Sequence, residues 1–456
     1  MISGPEVLLI GAVGLVGLAW AVHVATRRQG LFLGALLLVT ALESTRDFSL
    51  SPHSARDAID AAFYIGHSGV IFSVGSVQVH IQDLFTLVAA IAGVIGIRRF
   101  RGGPIPAAAL AGLVVLVGLG IATFAHSLGI EAAVNSWRRW ELALALLLYG
   151  MTTLRPWQWR DLDWLIAAGV LMCALAAAEI SIHGLGSASG WTYGGGERVN
   201  GRPIAEDGAL IILAAIWALA LRPGRWTLTR GWTIVGLIGF LIVSQQRTIW
   251  LAALASLAVW LLVTAMRSGR RILGRISWSF VGLVYSGFAL MLVVASSWQL
   301  QESLSNQRSY QWRVSRWQSS FSTARSQLEW LVGGAFGPTP ASVNAQFRGL
   351  YAHSLYVWSI ETVGLAGLAL MLVLIASTCL RPALLSRGYW PLVTGVVALT
   401  VGYSYGLPDW YWLAIAMCAG WPATEPLTAS APEGSRIPPP GGFNLRGSAA
   451  AADSGG

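Results

Sequence analysis

One polar stretch, Ser296 to His353, is rich in arginine, tryptophan and glutamine in a chain that is otherwise mostly apolar. Arg313 precedes Arg316 by three residues and Trp317 by four, so on a helix these side chains share one face. Two neighbouring guanidiniums without a carboxylate form an anion site, because arginine stays charged and forks onto phosphate oxygens. Stacking of the same arginines on Trp312 or Trp317 as structural cation–π pairs is the alternative interpretation.

Two further residues in or near this stretch could take part in chemistry. His353 stands between Tyr351 and Ser354, and an imidazole near clustered arginines stays neutral and can accept a proton at neutral pH. The alternative is a structural histidine. Arg247 occupies a short polar turn between two apolar runs, with no acidic residue within ten positions. A guanidinium at membrane depth normally faces a partner or a water-filled cavity, although a snorkelling arginine could instead reach lipid phosphates.

Membrane-spanning helices are the elements that must position these residues. The chain is 55% hydrophobic and only 11% charged, whereas soluble domains are about 25% charged. Apolar runs of about 20 residues predict an all-α polytopic membrane protein with about 12 or 13 spans. We expect transmembrane helices over residues 1–296, an extracytoplasmic catalytic loop over 297–352, further spans over 353–421, and a disordered tail rich in Pro, Gly, Ser and Ala over 422–456.

The arginines that flank the spans give the expected orientation. Positive-inside counting places the pair Arg27 and Arg28, the run Arg98 to Arg101, Arg155 and Arg222 on the cytoplasmic side. A second group falls on the outer face, where this rule should have removed it, which indicates an anionic partner outside. Its members are Arg138, Arg139, Arg198, Arg202, Arg247, Arg308, Arg313, Arg316, Arg325 and Arg348.

The carboxylates do not indicate a metal site. Asp161 and Asp163 follow cytoplasmic arginines, and Glu206 and Asp207 begin a span, so the dipole at each helix start explains them better. Glu361 lies inside a span, where an acid is costly and needs an arginine partner; a structural role is favoured over a catalytic one. The cysteines indicate neither a disulfide framework nor zinc, and we expect them in the core: Cys173, Cys379 and Cys418.

Five short motifs follow one another between about residues 240 and 370. They are Gln246-Arg247-Thr248-x-Trp250, Arg313-Val314-Ser315-Arg316-Trp317, Gly334-Ala335-Phe336-Gly337, His353-Ser354-Leu355-Tyr356 and Glu361-Thr362-Val363-Gly364-Leu365-Ala366-Gly367. In order and spacing they resemble the signature of the O-antigen ligase and O-antigen polymerase superfamily. Two positions depart from it. Ser354 stands where asparagine usually follows the histidine, and two residues separate Gly334 from Gly337 unless Gly333 is counted instead.

The resemblance implies a GT-C-like glycosyltransferase of the bacterial plasma (inner) membrane with an extracytoplasmic active site. It would move an oligosaccharide, with inversion, from undecaprenyl diphosphate to a sugar hydroxyl of a glycan or glycolipid acceptor, among membrane lipids, without metal, cofactor or nucleic acid. Arg247 and Arg313 would stabilise the diphosphate, and His353 would deprotonate or orient the acceptor hydroxyl. The expected substrate contacts are Arg308, Arg316, Trp317 and Tyr351.

Other function classes remain open at this point. A transporter or flippase of lipid-linked saccharides also needs many spans and arginines, but it would carry charges at mid-bilayer within several spans. A non-catalytic assembly scaffold is the third interpretation. Neither the sugars nor the choice between ligation and polymerisation follows from the sequence. The main structural expectation is that the loop folds back over the outer ends of the spans, so that Arg313 and His353 face Arg247.

Overall fold

The computed structural model describes most of the helical part of the chain. It covers residues 4–44, 70–74, 77–155, 159–183, 204, 206–222, 226–244, 246–264, 307–322, 325–336, 354–380, 390–404 and 406–419 of the 456. Within these ranges the backbone at Arg308, Arg313 and Arg316 is described but their side chains are not. The predicted disordered tail, 422–456, lies outside the described residues.

Helices make up nearly all of the described structure. They are α1 Gly4–Arg27, α2 Gln29–Ser44, α3 Ile81–Ile95, α4 Pro104–Leu128, α5 Ile130–Thr152, α6 Trp159–His183, α7 Glu206–Leu221, α8 Leu228–Val243, α9 Arg247–Thr264, α10 Gln307–Ser322, α11 Gln327–Val332, α12 Leu355–Cys379, α13 Trp390–Ser404 and α14 Asp409–Ala419. Short 3-10 turns cover Ile97–Arg99 and Gly333–Phe336, and an antiparallel hairpin of β1 Val70–Val74 and β2 Val77–His80 precedes α3. The all-α prediction did not include this hairpin.

Four helices among the described residues are long and apolar enough to cross a membrane. They are Pro104–Leu128 in α4, Asp161–Ala178 in α6, Arg247–Thr264 in α9 and Leu355–Cys379 in α12. The prediction of a helical membrane protein is confirmed in this coarse form, whereas the count of about 12 or 13 spans, which rests on apolar runs of about 20 residues, stays a prediction.

Two helices form the centre of the bundle. Residues Gly208 to Leu219 of α7 and Trp410 to Ala419 of α14 are buried on every side. Such all-round apolar helices belong inside a bundle rather than at its surface. Glycines allow the close crossings, since a Cβ atom on Gly150 of α5 would overlap Ala416 of α14. The three cysteines are free and buried, as expected for core residues.

One end of the bundle gathers arginines that were predicted to be cytoplasmic. Arg155 pairs with Asp161 at 3.1 Å, and Arg222, just after α7, pairs with Asp163 at 2.7 Å. Arg101 donates to the carbonyl oxygen of Leu154 at 2.9 Å. The last turns of α5 and α7 therefore meet the starts of α4 and α6 here, and we call this the Arg155 end.

The opposite end carries Arg138 and Arg247, two of the arginines that were predicted to lie outside. The Gln246 side chain donates to the carbonyl oxygen of Ile204 at 3.0 Å, and Ile204 precedes the start of α7, a full helix away from Arg222. Arg138 pairs with Asp83 at 3.3 Å, where α3 and α5 are close to their starts. We call this the Arg247 end. Which side of a membrane each end faces stays a prediction.

Two glycines let the polar loop lie directly against α12. Gly364 has φ +70° and ψ −174°, so α12 is broken at this residue, and Gly333 has φ +59°. A Cβ atom on Gly333 would lie 2.5 Å from the carbonyl oxygen of Thr362, and one on Gly364 would overlap the Leu331 carbonyl. Only glycine adopts such a conformation without strain and also allows this approach. The Gly333–Gly364 contact therefore anchors α11 and its 3-10 turn on α12.

Replacing Gly364 by alanine tests this anchor. We expect Gly364→Ala to lower the free energy of unfolding by about 2–4 kcal/mol, from the unfavourable φ together with the steric overlap. The measurement is the apparent unfolding temperature of the purified chain in detergent. Gly118→Ala is the matched control, because a Cβ atom there has nothing within 4 Å, and its unfolding temperature should stay level or rise. Equal losses in both variants would contradict the anchor.

Candidate active site

Three elements that carry or adjoin the sequence motifs meet at the Arg247 end. The Trp317 ring of α10 packs edge-on against Tyr403 of α13, with ring centroids 5.5 Å apart. The Ser354 hydroxyl, at the start of α12, donates to the carbonyl oxygen of Gly402 at 3.5 Å. Ser354 and Trp317 therefore contact neighbouring residues of α13. We call this group of four residues, Trp317, Ser354, Gly402 and Tyr403, the α13 corner.

The predicted site residues are described to different extents. His353 and Tyr351 lie outside the described residues, but the adjoining Ser354 is fixed at the α13 corner. Arg313 lies one turn before Trp317 in α10, so the helix assumed for this motif is present. The expectation that Arg313 and His353 face Arg247 stays a prediction, as do the substrate contacts of Arg308, Arg316, Trp317 and Tyr351.

Ser354 gives a structural account of one departure from the family signature. Its side chain accepts a hydrogen bond from the Val357 amide at 3.4 Å and caps the first turn of α12. Serine and asparagine are both preferred at this position, because each can accept from an unpaired amide of the first turn. Serine in place of asparagine thus keeps the cap, and α12 begins immediately after it at Leu355.

Arg247 is the first residue of α9 and follows a tightly bonded turn. The Ser244 hydroxyl donates to the carbonyl oxygen of Leu241 at 2.6 Å, and the Trp250 indole donates to the same oxygen at 2.7 Å. Gln246 is buried, and the Nε atom of Arg247 is buried as well. The positive end of the α9 dipole and the Arg247 guanidinium lie at the same helix start, and both attract an anion.

Glu361 has the arginine partner that its position in α12 requires. Its carboxylate lies 3.9 Å from Nη2 of Arg325, and the two side chains are only 6% and 2% exposed. Arg325 also donates to the carbonyl oxygen of Ser320 at 2.9 Å and lies over the ring of Trp330. Burial lowers the pKa of the Arg325 guanidinium, and the carboxylates of Glu361 and Glu329 oppose that shift. This ion pair links the α10–α11 connection to α12.

The α12 segment that carries Glu361 is also held from the side of α5. The Trp140 ring stacks on Trp358 with centroids 4.8 Å apart, and its indole donates to the Thr362 hydroxyl at 3.0 Å. One face of this segment thus packs on α5 while the chain from Arg325 to Gly333 covers another. The first half of α12 is therefore held on two sides, and it forms a platform that adjoins the α13 corner at Ser354.

Sequence reasoning missed the pairing of Arg325 with Glu361. It placed Arg325 among the outer arginines and stated that Glu361 needs an arginine, but it did not connect them. One local signal was present. Ser326 and Glu329 form a reciprocal cap at the start of α11, with bonds of 3.2 and 3.0 Å, which fixes the chain immediately after Arg325.

The four carboxylates that were considered as metal ligands have ion-pair partners or helix-start positions. Asp161 and Asp163 were attributed to the dipole of α6, and each additionally pairs with an arginine, Arg155 and Arg222 respectively. Glu206 and Asp207 stand in the first turn of α7, as predicted. Within the described part of the chain, no three His, Cys, Asp or Glu side chains are grouped so as to hold a metal ion.

Comparison with known proteins gives no assignment. The chain matches no family model, and no curated protein sequence matches it at a significant level.

The Arg325–Glu361 pair is tested by a double-mutant cycle. Arg325→Met leaves a buried carboxylate without this partner, so we expect it to cost about 3 kcal/mol or more. Adding Glu361→Gln should recover part of that loss, because the buried charge is removed. The apparent unfolding temperature of the purified chain is the measurement.

Arg222→Met is the control, since the side chains of Arg222 and its partner Asp163 are 42% and 48% exposed. The loss of this exposed pair should cost below about 1 kcal/mol. Additive losses in the cycle would contradict the pairing.

Proposed function

We propose that the chain is an inverting membrane glycosyltransferase of the kind that its motifs resemble, an O-antigen ligase or polysaccharide polymerase. Its donor is an oligosaccharide on undecaprenyl diphosphate, its acceptor is a glycan or glycolipid hydroxyl, and it acts at the outer face of the bacterial plasma membrane. The observation that carries the proposal is the α13 corner. Through Tyr403 and Gly402 it holds Trp317, of the arginine motif, close to Ser354, of the histidine motif.

The arginines supply the electrostatic part of the mechanism. Cleavage of the bond between the sugar and the phosphate leaves a lipid diphosphate, whose growing negative charge must be stabilised. Arg247 and Arg313 take this role, with Arg308 or Arg316 as helpers, because guanidiniums fork onto phosphate oxygens. The start of α9 at Arg247 adds the positive end of a helix dipole at the same place.

His353 supplies the proton-transfer part. It takes the proton of the acceptor hydroxyl as the hydroxyl oxygen attacks the anomeric carbon, while the bond from that carbon to the diphosphate oxygen breaks. A single displacement of this kind inverts the configuration of the sugar. Trp317 and Tyr351 offer aromatic surfaces for the sugar rings. No metal is needed, because the arginines stabilise the leaving group.

The distribution of charge in four helices, α4, α7, α8 and α9, supports transfer over transport. In α7, α8 and α9 the charged residues stand only in the first turn, and α4 has no Asp, Glu, Lys or Arg at all. A flippase for an anionic lipid head group is expected to carry charges at mid-bilayer within several spans. These helices instead present their charged residues at the bundle ends.

Alanine variants in cells that lack the chromosomal copy test the proposal. Arg247→Ala, Arg313→Ala and His353→Ala should each lower glycan transfer about 100-fold or more, because each removes transition-state stabilisation or the general base. The lipid-linked donor should still reach the outer face and accumulate there. The measurements are the outer-face donor pool and the gel profile of surface glycan. Arg98→Ala, an exposed arginine at the Arg155 end, should transfer like the wild type.

Other outcomes of this experiment reject the proposal in distinguishable ways. Failure of the donor to reach the outer face in these variants would identify a flippase. Unchanged glycan length and attachment would identify a scaffold. Within the proposal, loss of long chains with one repeat still attached means a polymerase, and loss of all attachment with donor accumulation means a ligase.

A further inference from the structure

A basic cavity opens at the Arg155 end, far from the α13 corner. Its volume is about 390 Å³, which is within the range of small-molecule sites. The lining comes from the α1–α2 turn, from the segment after α5 and from the first turns of α6. It consists of Arg27, Arg28, Gln29, Gly30, Leu31, Arg155, Asp161 and Trp164. Neither the motifs nor the proposed transfer reaction uses these residues.

Hydrogen bonds and close packing fix the floor of the cavity. The Gln29 amide group donates to the carbonyl oxygen of Thr153 at 2.8 Å, and its oxygen accepts from the Arg155 amide at 3.0 Å. These two bonds fix the α1–α2 turn against the end of α5. Trp164 packs on the other side, directly against Gly34, where a Cβ atom would lie 2.8 Å from the ring.

The charge of the lining selects an anion. Three arginines and one aspartate line the cavity, so three positive charges less one negative charge leave a formal charge of +2. Asp161 pairs with Arg155. Among the ion pairs of the described residues, none includes Arg27 or Arg28. Two guanidiniums on consecutive residues at a cavity mouth suit phosphate oxygens.

The rim of the same cavity is apolar. Leu31 is 47% exposed and Trp164 is 40% exposed, although both line a cationic pocket. Leu38, which is also 47% exposed, follows Leu31 by seven residues and so continues the same face of α2. An exposed apolar stripe of about 10 Å that leads into a basic pocket matches an amphiphile, with its anion in the pocket and its chain along the helix.

We propose that this cavity binds the phosphate-bearing head group of an anionic phospholipid, with an acyl chain along the Leu31 and Leu38 face of α2. Arg27 and Arg28 contact the phosphate, Arg155 holds the inner wall, and Trp164 covers the boundary between head group and chain, where tryptophan is enriched in membrane proteins. The site is separate from the proposed transfer reaction, since it lies at the opposite end of the bundle, and either proposal can fail alone.

Lipid titration of the purified full chain tests the site by native mass spectrometry in detergent. The probes are dioleoylphosphatidylglycerol and, as the net-neutral comparison, dioleoylphosphatidylcholine. The wild type should prefer the anionic lipid. Arg27→Gln combined with Arg28→Gln should weaken its binding at least about tenfold. Arg98→Gln combined with Arg99→Gln removes the same charge from exposed positions at the same end, outside the cavity, and should weaken binding less than about twofold.

A third variant tests the space inside the cavity without changing its charge. A Cβ atom on Gly30 would lie 3.4 Å from the Trp164 indole nitrogen and 3.6 Å from an Asp161 oxygen, so Gly30→Leu fills the cavity while every arginine stays. It should lose the anionic lipid as well, with an unfolding temperature that matches the wild type. Equal losses from both arginine pairs, or wild-type binding by Gly30→Leu, would overturn the site. Competition by glycerol 3-phosphate at the concentration of the lipid would overturn the lipid assignment in favour of a free phosphate ester.

Discussion

The polar loop from Leu331 to Gly333 lies directly on the backbone of α12 at Thr362 and Gly364. This close approach is possible because Gly333 and Gly364 carry no Cβ atom. Much of the Arg247 end depends on this approach. It breaks α12 at Gly364 and fixes α11 against the bundle. It also holds the preceding chain where Arg325 reaches Glu361. Wider separation of the two backbones would leave that buried carboxylate without this guanidinium and would detach the loop from its platform.

Electrostatics divides the bundle into two ends with different chemistry. At the Arg155 end, arginines lie among aspartates, a fixed glutamine and an exposed apolar face, and this is where we propose that a lipid head group binds. At the Arg247 end, ion pairs such as Arg325–Glu361 and Arg138–Asp83 brace the helices. There the arginine motif of α10 lies on the same corner as the start of α12. Lipid binding is thus proposed at the first end and glycan transfer at the second.

Much of the helical framework could be predicted, because length and hydropathy are local properties of the sequence. The runs that became α4 and α12 are continuous and apolar, and Ser354 marks the start of α12 as a cap. Other features depend on tertiary contacts. The partner of Glu361 lies 36 residues earlier, and nothing local selects Arg325 over the other outer arginines. Gly333, rather than Gly334, has the positive φ and touches α12, which the motif spacing left open. The hairpin from Val70 to His80 did have a local signal that the all-α prediction overlooked, because two runs rich in Val, Ile and Phe flank the dipeptide Gly75-Ser76.

The central claim is that Arg247, Arg313 and His353 share one site, and thiol crosslinking tests it most directly. Arg247→Cys and His353→Cys, introduced together and treated with a short bifunctional thiol reagent in membranes, should crosslink within one chain. The native cysteines are buried and should react little. The control pair is Arg155→Cys with His353→Cys. It places one cysteine at the Arg155 end and the other just before α12, and it should give no crosslink. If the Arg247 pair crosslinks no better than the Arg155 pair, the three residues do not form one site and the proposed mechanism is contradicted.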